Sequence, residues 1–217
     1  MERLGQMKHV IIVGARGWGR EVSWLATGCV GYGTEFDIKG FLDDKADALD
    51  GLGDYPPILG SVEEYTPQEN DVFIVALGYP KPKMEYARKI QEKGGKFINL
   101  IHKEAVIHPT AELGVGLIVD ARASISANVR VGNFVTFQRD STIGHDAVIG
   151  DYCMLNSFSF MGGYASLGDR SELATMAQII PHIHVGSDCM VGAGSVVIRK
   201  VKDNTTVFGV PAKKVEY

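Results

Sequence analysis

The chain has 217 residues, 45% hydrophobic and 22% charged, an ordinary balance for one large folded domain or two small ones. Its formal charge of −4 argues against a general nucleic-acid binder, which would present a basic surface. No apolar run approaches the roughly 20 residues that cross a bilayer, and residues 9–15 are too short for a signal peptide, so a cytoplasmic protein is expected, with neither nucleic acid nor membrane as partner.

The first hundred residues alternate strand and helix signals. "KHVIIVGA", residues 8–15, reads as a buried strand, and "GWGREVSWLA", residues 17–26, as the helix that follows. "DIKGFLDD" (37–44) and "DVFIVALG" (71–78) are further strands, followed by a charged helical stretch at 82–94 and by "KFINLI" (96–101). This alternation predicts a small Rossmann-like parallel sheet with crossover helices over residues 1–102. Between the first strand and helix lies "GARGWG", residues 14–19, spaced G-x-x-G-x-G and not G-x-G-x-x-G. Such a loop is either a tight structural turn or a phosphate cradle made of backbone amides at a helix start. Three features fall at the carboxyl ends of predicted strands: this loop, the pair Asp43 and Asp44, and Gly78. Ligands of open α/β sheets bind at that edge, and a nucleotide-sugar suits the pattern better than NAD.

At Ile107 the pattern changes. Ile, Leu, Val, Met or Phe stands at every sixth position from 107 to 197, sixteen times without a skipped register. Glycine follows half of these anchors, and a mostly small residue comes four positions after each, as at Ala111, Ala123, Ser141, Ala147, Cys153, Ala165 and Ser195. Such a period is the hexapeptide signature of a parallel β-helix, so residues 103–217 are expected to form an all-β prism with a C-terminal tail. Three short strands per triangular coil bury the anchors, and sixteen anchors give just over five coils.

In a coil of about 18 residues each residue lies beneath the one 18 positions on. Ala127 then lies below His145 and Gly163 above it, so small neighbours leave the imidazole open along its column. A base beside an amide that a carbonyl can approach is the pairing acyl transfer needs. Asp146 is placed to hydrogen-bond the imidazole and favour its protonated form. On the residues alone, His145 is equally readable as a plain surface corner. His182 and His184 resemble a metal pair, but no third ligand follows at an obvious spacing, and no metal is expected. His9, His102 and His108 read as structural. Cys29, Cys153 and Cys189 form no CxxC pair; the last two would lie two coils apart, beyond disulfide reach, and read as small core residues.

Together, "VGARGWGRE", "GFLDD", "FIVALG", "NLIH", "IGHDAVIGD", the hexapeptide prism and "VFGVPAKKV" resemble the NeuD/PglD-type sugar O- and N-acyltransferases along essentially the whole chain. The resemblance implies a left-handed prism, His145 as catalytic base, and Asp146 as the acid that sharpens it. It also implies acetyl-CoA contacts at Gly163 and Ala193, and nucleotide-sugar contacts at Arg16, Gly17, Trp18, Asp43, Asp44 and Gly78. Trp18 stands where a histidine is common, and Met154 where some members have a second histidine near the thioester. Similar enzymes are homotrimers with CoA in the groove between adjacent prisms. The leading expectation is therefore an acetyl-CoA-dependent N-acetyltransferase acting on a nucleotide-linked amino sugar for surface glycan synthesis. A sugar O-acetyltransferase, a zinc hydrase and a non-catalytic nucleotide-sugar scaffold remain as alternatives.

Overall fold

In the computed structural model, which describes residues 6–215, the chain divides after Lys103 into two units. The first is built on β1 (Lys8–Val13), whose last four residues, Val10 to Val13, are buried. Both faces of the strand are covered, which is why it reads as a continuous apolar run and not as an alternation. With β2 (Phe36–Leu42), β3 (Asp71–Val75) and β4 (Lys96–Phe97) it forms a four-stranded sheet in the order β2-β1-β3-β4, every pair parallel. Only the first two residues of the expected strand 96–101 join this sheet.

Helix α1 (Gly17–Thr27) buries Val22, Leu25 and Ala26 and ends at Gly28. Helix α2 (Pro80–Glu92) begins two residues before the charged stretch that marked it in the sequence. Pro80 and Pro82 are tolerated there because first-turn amides have no partner within the helix. All four strands being parallel, the chain leaves β1, β2 and β3 on one edge, at Gly14, Asp43 and Ala76.

The second unit is a left-handed parallel β-helix made of two-residue strands. Each strand pairs with the one 18 residues on: Thr142 and Ile143 with Phe160 and Met161, Val148 and Ile149 with Ser166 and Leu167, Met154 and Leu155 with Glu172 and Leu173. The anchors from Val119 to Val197 are buried, whereas Ile107 and Leu113 in the first coil are only half-buried. Within the prism an end coil has a neighbour on one side alone. Ala123, Ser141, Ala147, Cys153, Ala165 and Ser195 are buried as well, at the tight inner bend after each corner. The cysteines are core residues; the Cys153 thiol donates to the Gly168 carbonyl at 3.1 Å and the Cys189 thiol to that of Lys202 at 3.0 Å.

One regularity of the prism is not visible in its composition. Three positions after each anchor the backbone turns left-handed, at twelve consecutive non-glycine residues from Arg122 to Asp188, with φ between 53° and 63°. Gly116 and Gly194 continue the series at either end. Left-handed backbone costs a non-glycine residue about 1–2 kcal/mol. The corner amides offset part of this by bonding the coil below, as Asp146 N–H does to the Ala127 carbonyl at 2.9 Å and Tyr164 N–H to that of His145 at 2.9 Å.

Candidate active site

His145 and Asp146 occupy one corner of the prism. Asp146 is a left-handed corner residue (φ 58°), and this turn brings its carboxylate back against the preceding side chain. His145 Nδ1 lies 2.8 Å from Asp146 Oδ2. Asn128 Nδ2 donates to the other carboxylate oxygen at 3.3 Å, and the Tyr164 ring meets the imidazole edge-on, 5.2 Å between centroids. These donors, His145 first and Asn128 next, hold the Asp146 carboxyl below its ordinary value. Asp146 is then an anion at neutral pH, so Nδ1 carries the proton and Nε2 is left as the basic nitrogen. The imidazole remains 58% exposed, open to a reactant.

Nε2 turns toward Gly163, one coil on. A Cβ added to Gly163 would sit 2.9 Å from both Cε1 and Nε2 of His145, so the glycine makes room for the ring. Among the described residues the Gly163 amide donates no hydrogen bond. The amides of Ala127, His145, Asp169, Thr175 and Ala193, at the same position of the repeat, are likewise uncommitted among the described residues. At the equivalent positions of a second corner, Val115 N–H donates to Asn133 Oδ1 (3.1 Å), Asn133 N–H to Asp151 Oδ1 (2.7 Å), Asp151 N–H to Asp169 Oδ1 (2.9 Å) and Ser187 N–H to Asp203 Oδ1 (2.9 Å). In the His145 column the residue above Gly163 is Pro181, whose side chain has no acceptor. A basic nitrogen and an uncommitted N–H therefore share one open corner, an arrangement able to take a proton and hold a developing oxyanion.

In the first unit the strand ends enclose a cavity of about 350 Å³ lined by Arg16, Trp18, Asp43, Asp44, Gly78 and Tyr86 among others. Gly14 and Gly19 are there for packing: Gly14 has φ 97°, and a Cβ on Gly19 would meet the Gly14 carbonyl oxygen at 1.8 Å. Gly17 and Gly78 differ, because a Cβ on either would enter open space. Helix α1 starts without a side-chain cap and without an acidic residue in its first turn, so its leading amides are available to an anion. Asp43 accepts the Ala15 amide at 2.9 Å on one oxygen and the Lys45 amide at 3.0 Å on the other. Asp44 accepts the Tyr86 hydroxyl, and that bond, with burial, pushes the phenol up to about 12.

Residues 9–90 match the family model described as the PglD N-terminal domain. Over 96% of its length the chain superposes on a perosamine N-acetyltransferase from Caulobacter crescentus solved with CoA and GDP-perosamine (28% identity, 97% of that chain, TM-score 0.86). It likewise matches the acetyltransferase domain of PglB from Neisseria gonorrhoeae in complex with acetyl coenzyme A (28% identity, 97% of this chain and 100% of that one, TM-score 0.87). The chain is thus similar to the NeuD/PglD-type sugar acyltransferases in both of its units. Among curated proteins, a serine acetyltransferase from Buchnera aphidicola is 34% identical over 107 residues, 49% of this chain and 36% of its own. The chain spans 36% to 59% of the length of the curated relatives it matches.

The residues singled out from sequence do not all come together. His145, Asp146 and Gly163 meet at one corner. Arg16, Trp18, Asp43, Asp44 and Gly78 meet around the cavity of the first unit, while Gly17 opens onto the adjoining groove with Arg20, Trp24 and Tyr55. Ala193 is exposed in the column of Ser157 and Thr175, at a different corner from Gly163, so one prism does not bring the two together. Met154 is buried. His182 stacks on Tyr164, and His184 Nδ1 pairs with Ser166 Oγ at 2.8 Å. Among the described residues no three His, Cys, Asp or Glu side chains converge as a metal site. Sequence reasoning missed Asn128, Tyr164 and Tyr86. The first two stand 18 residues either side of Asp146, and applying the column rule to the acid as well as to the base finds them.

Proposed function

We propose that the chain transfers an acetyl group from acetyl-CoA to the amino group of a nucleotide-linked sugar. The observation that carries this is the corner where His145 Nε2 and the uncommitted Gly163 amide meet, with Asp146 fixing the ring from behind. In this reading the attacking amine gives its proton to Nε2 as nitrogen bonds to the thioester carbonyl carbon. The carbonyl oxygen becomes an oxyanion held by the Gly163 N–H, and collapse of the adduct breaks the C–S bond and releases CoA thiolate. The nucleotide belongs to the first unit, with its phosphates at the Gly17 end of α1 beside Arg16, and its remaining polar groups near Asp44 and Gly78. Asp43, whose two oxygens are both engaged, holds the loop in place.

The relatives solved with CoA and GDP-perosamine, and with acetyl-CoA, favour an amine acceptor over a hydroxyl and CoA as donor. We further propose a homotrimer, because Ala193 reaches a CoA at the His145 corner only from a neighbouring prism. The acceptor is identified by incubating the protein with acetyl-CoA and a panel of UDP-, GDP- and dTDP-amino sugars and following acetyl addition by mass spectrometry. One panel member gaining an N-acetyl group supports the reading. Binding without turnover points to a scaffold, and acetyl addition to deaminated sugars alone points to O-acetylation.

A further inference from the structure

Helix α1 has a second face that its packing does not use. Val22, Leu25 and Ala26 turn to the core, while Gly17, Arg20, Glu21 and Trp24, spaced i, i+3, i+4 and i+7, lie along the opposite side. That side lines a groove of about 740 Å³, shared with Leu52, Asp54 and Tyr55. Trp24 is 64% exposed, and Leu52 and Tyr55 are exposed with it. Contiguous apolar surface rimmed by polar groups marks a binding site, unlike apolar residues scattered singly. Among the described residues Arg20, Glu21 and Asp54 form no ion pair and no side-chain hydrogen bond, so the rim is uncommitted.

The groove and the cavity adjoin at the start of α1, where Arg16 and Trp18 line the cavity and Gly17, between them, lines the groove. A Cβ on Gly17 would enter open space, so the backbone there is bare to a ligand passing from one to the other. A nucleoside diphosphate-sugar has three linked parts: nucleoside, diphosphate and pyranose. The cavity, at about 350 Å³, lies near the lower end of the roughly 300–1,000 Å³ that drug-sized ligands occupy. It suits the nucleoside and not all three parts. With the diphosphate at Gly17, the pyranose continues into the groove. Its amine has to be reached from outside the first unit, because His145 belongs to the prism, and the more open site permits this. We infer that the groove is the seat of the acceptor pyranose, with Trp24 and Tyr55 as ring faces for its C–H face and Arg20, Glu21 and Asp54 as partners for its hydroxyls.

This seat rests on the reading of the first unit as a nucleotide-sugar site, and one set of titrations separates the two. Calorimetry compares UDP, GDP and dTDP with the same nucleotides carrying an amino sugar, on wild type, Trp24→Ala and Tyr55→Ala. For the nucleotide that binds, each variant should weaken the sugar-carrying form about tenfold and leave the nucleoside diphosphate within about twofold of wild type. Trp24→Phe, which keeps a ring face, should recover most of the loss. Sedimentation of the variants should match wild type. Unchanged affinity for the sugar-carrying form in both alanine variants overturns the seat, as does an equal loss for both forms of the ligand. A changed sedimentation coefficient also overturns it, by making the groove a contact between copies of the chain. Wild type that binds a nucleoside diphosphate but not its sugar-carrying form overturns the seat alone. Wild type that binds neither form overturns the seat and the nucleotide reading together.

Discussion

Two corners of the same prism share one backbone and use it in opposite ways. Along Val115, Asn133, Asp151 and Ser187, an Asn or Asp side chain one turn further on accepts the amide of the residue below. Along Ala127, His145, Gly163 and Pro181 the sequence supplies no such acceptor. Glycine precedes the amide in both, for different reasons. A Cβ on Gly132, Gly150 or Gly186 would strike the capping carboxylate oxygen at 2.1–2.4 Å, whereas a Cβ on Gly144 would strike the Gly163 amide nitrogen at 2.5 Å. One corner is capped at these four amides, and the other is uncapped at Ala127, His145 and Gly163.

The largest expected effect removes what both corners share. Leu155 is fully buried among stacked coils, and Leu155→Asp should destabilise the prism by about 4–5 kcal/mol or more. Chemical denaturation checks this; a variant with unchanged midpoint would contradict the register. Next comes Gly163→Ala, which closes the open corner. Its Cβ displaces the His145 ring from 2.9 Å, and about a hundredfold loss of kcat is expected with the melting temperature nearly unchanged. Steady-state thiol release measures it, and wild-type kcat would show that the glycine is not making room for the base.

Asp151→Ala does the reverse, opening the closed corner by orphaning the Asn133 amide. A loss of about 1–3 kcal/mol of stability is expected, with acetyl transfer unaffected. Unfolding curves and kinetics on the same preparation separate the two. Equal losses at both corners would erase the distinction between them. The smallest effect belongs to Asp146→Asn, which keeps a hydrogen-bond partner for Nδ1 but removes the charge. About a tenfold fall in kcat is expected, with the acidic limb of the rate profile moving to lower pH because the ring is less readily protonated. An upward shift would contradict the pairing. The Asp146 carboxyl is lowered in the folded protein, so the stability it contributes is present above the ordinary carboxylate range and is lost as pH falls through the lowered folded value.

Much of this fold was legible because its physics is periodic. An anchor at every sixth residue leaves one way to bury all of them, and the column rule then places Gly163 over His145 without coordinates. The left-handed corners were not legible, since Arg122, Phe134, Tyr164 and Met176 share a backbone conformation and no chemistry. The difference between open and closed amides was legible in principle, from Asp or Asn recurring at 18-residue steps in one column and Ala, His, Gly and Pro in the other. In the first unit the strand ends identified the cavity, but the commitment of Asp43 to two backbone amides depends on loop geometry that no spacing encodes. Tyr86 escaped notice because it reaches Asp44 from a helix 42 residues away.

The central claim is that the open corner holds a general base. The most direct measurement is the rate of CoA thiol release by His145→Ala with the preferred amino sugar, alongside calorimetric titration of acetyl-CoA. The account predicts a fall in kcat of about 10²–10⁴-fold with acetyl-CoA affinity little changed. Near-wild-type turnover with that acceptor would contradict it and reduce His145 to a surface corner.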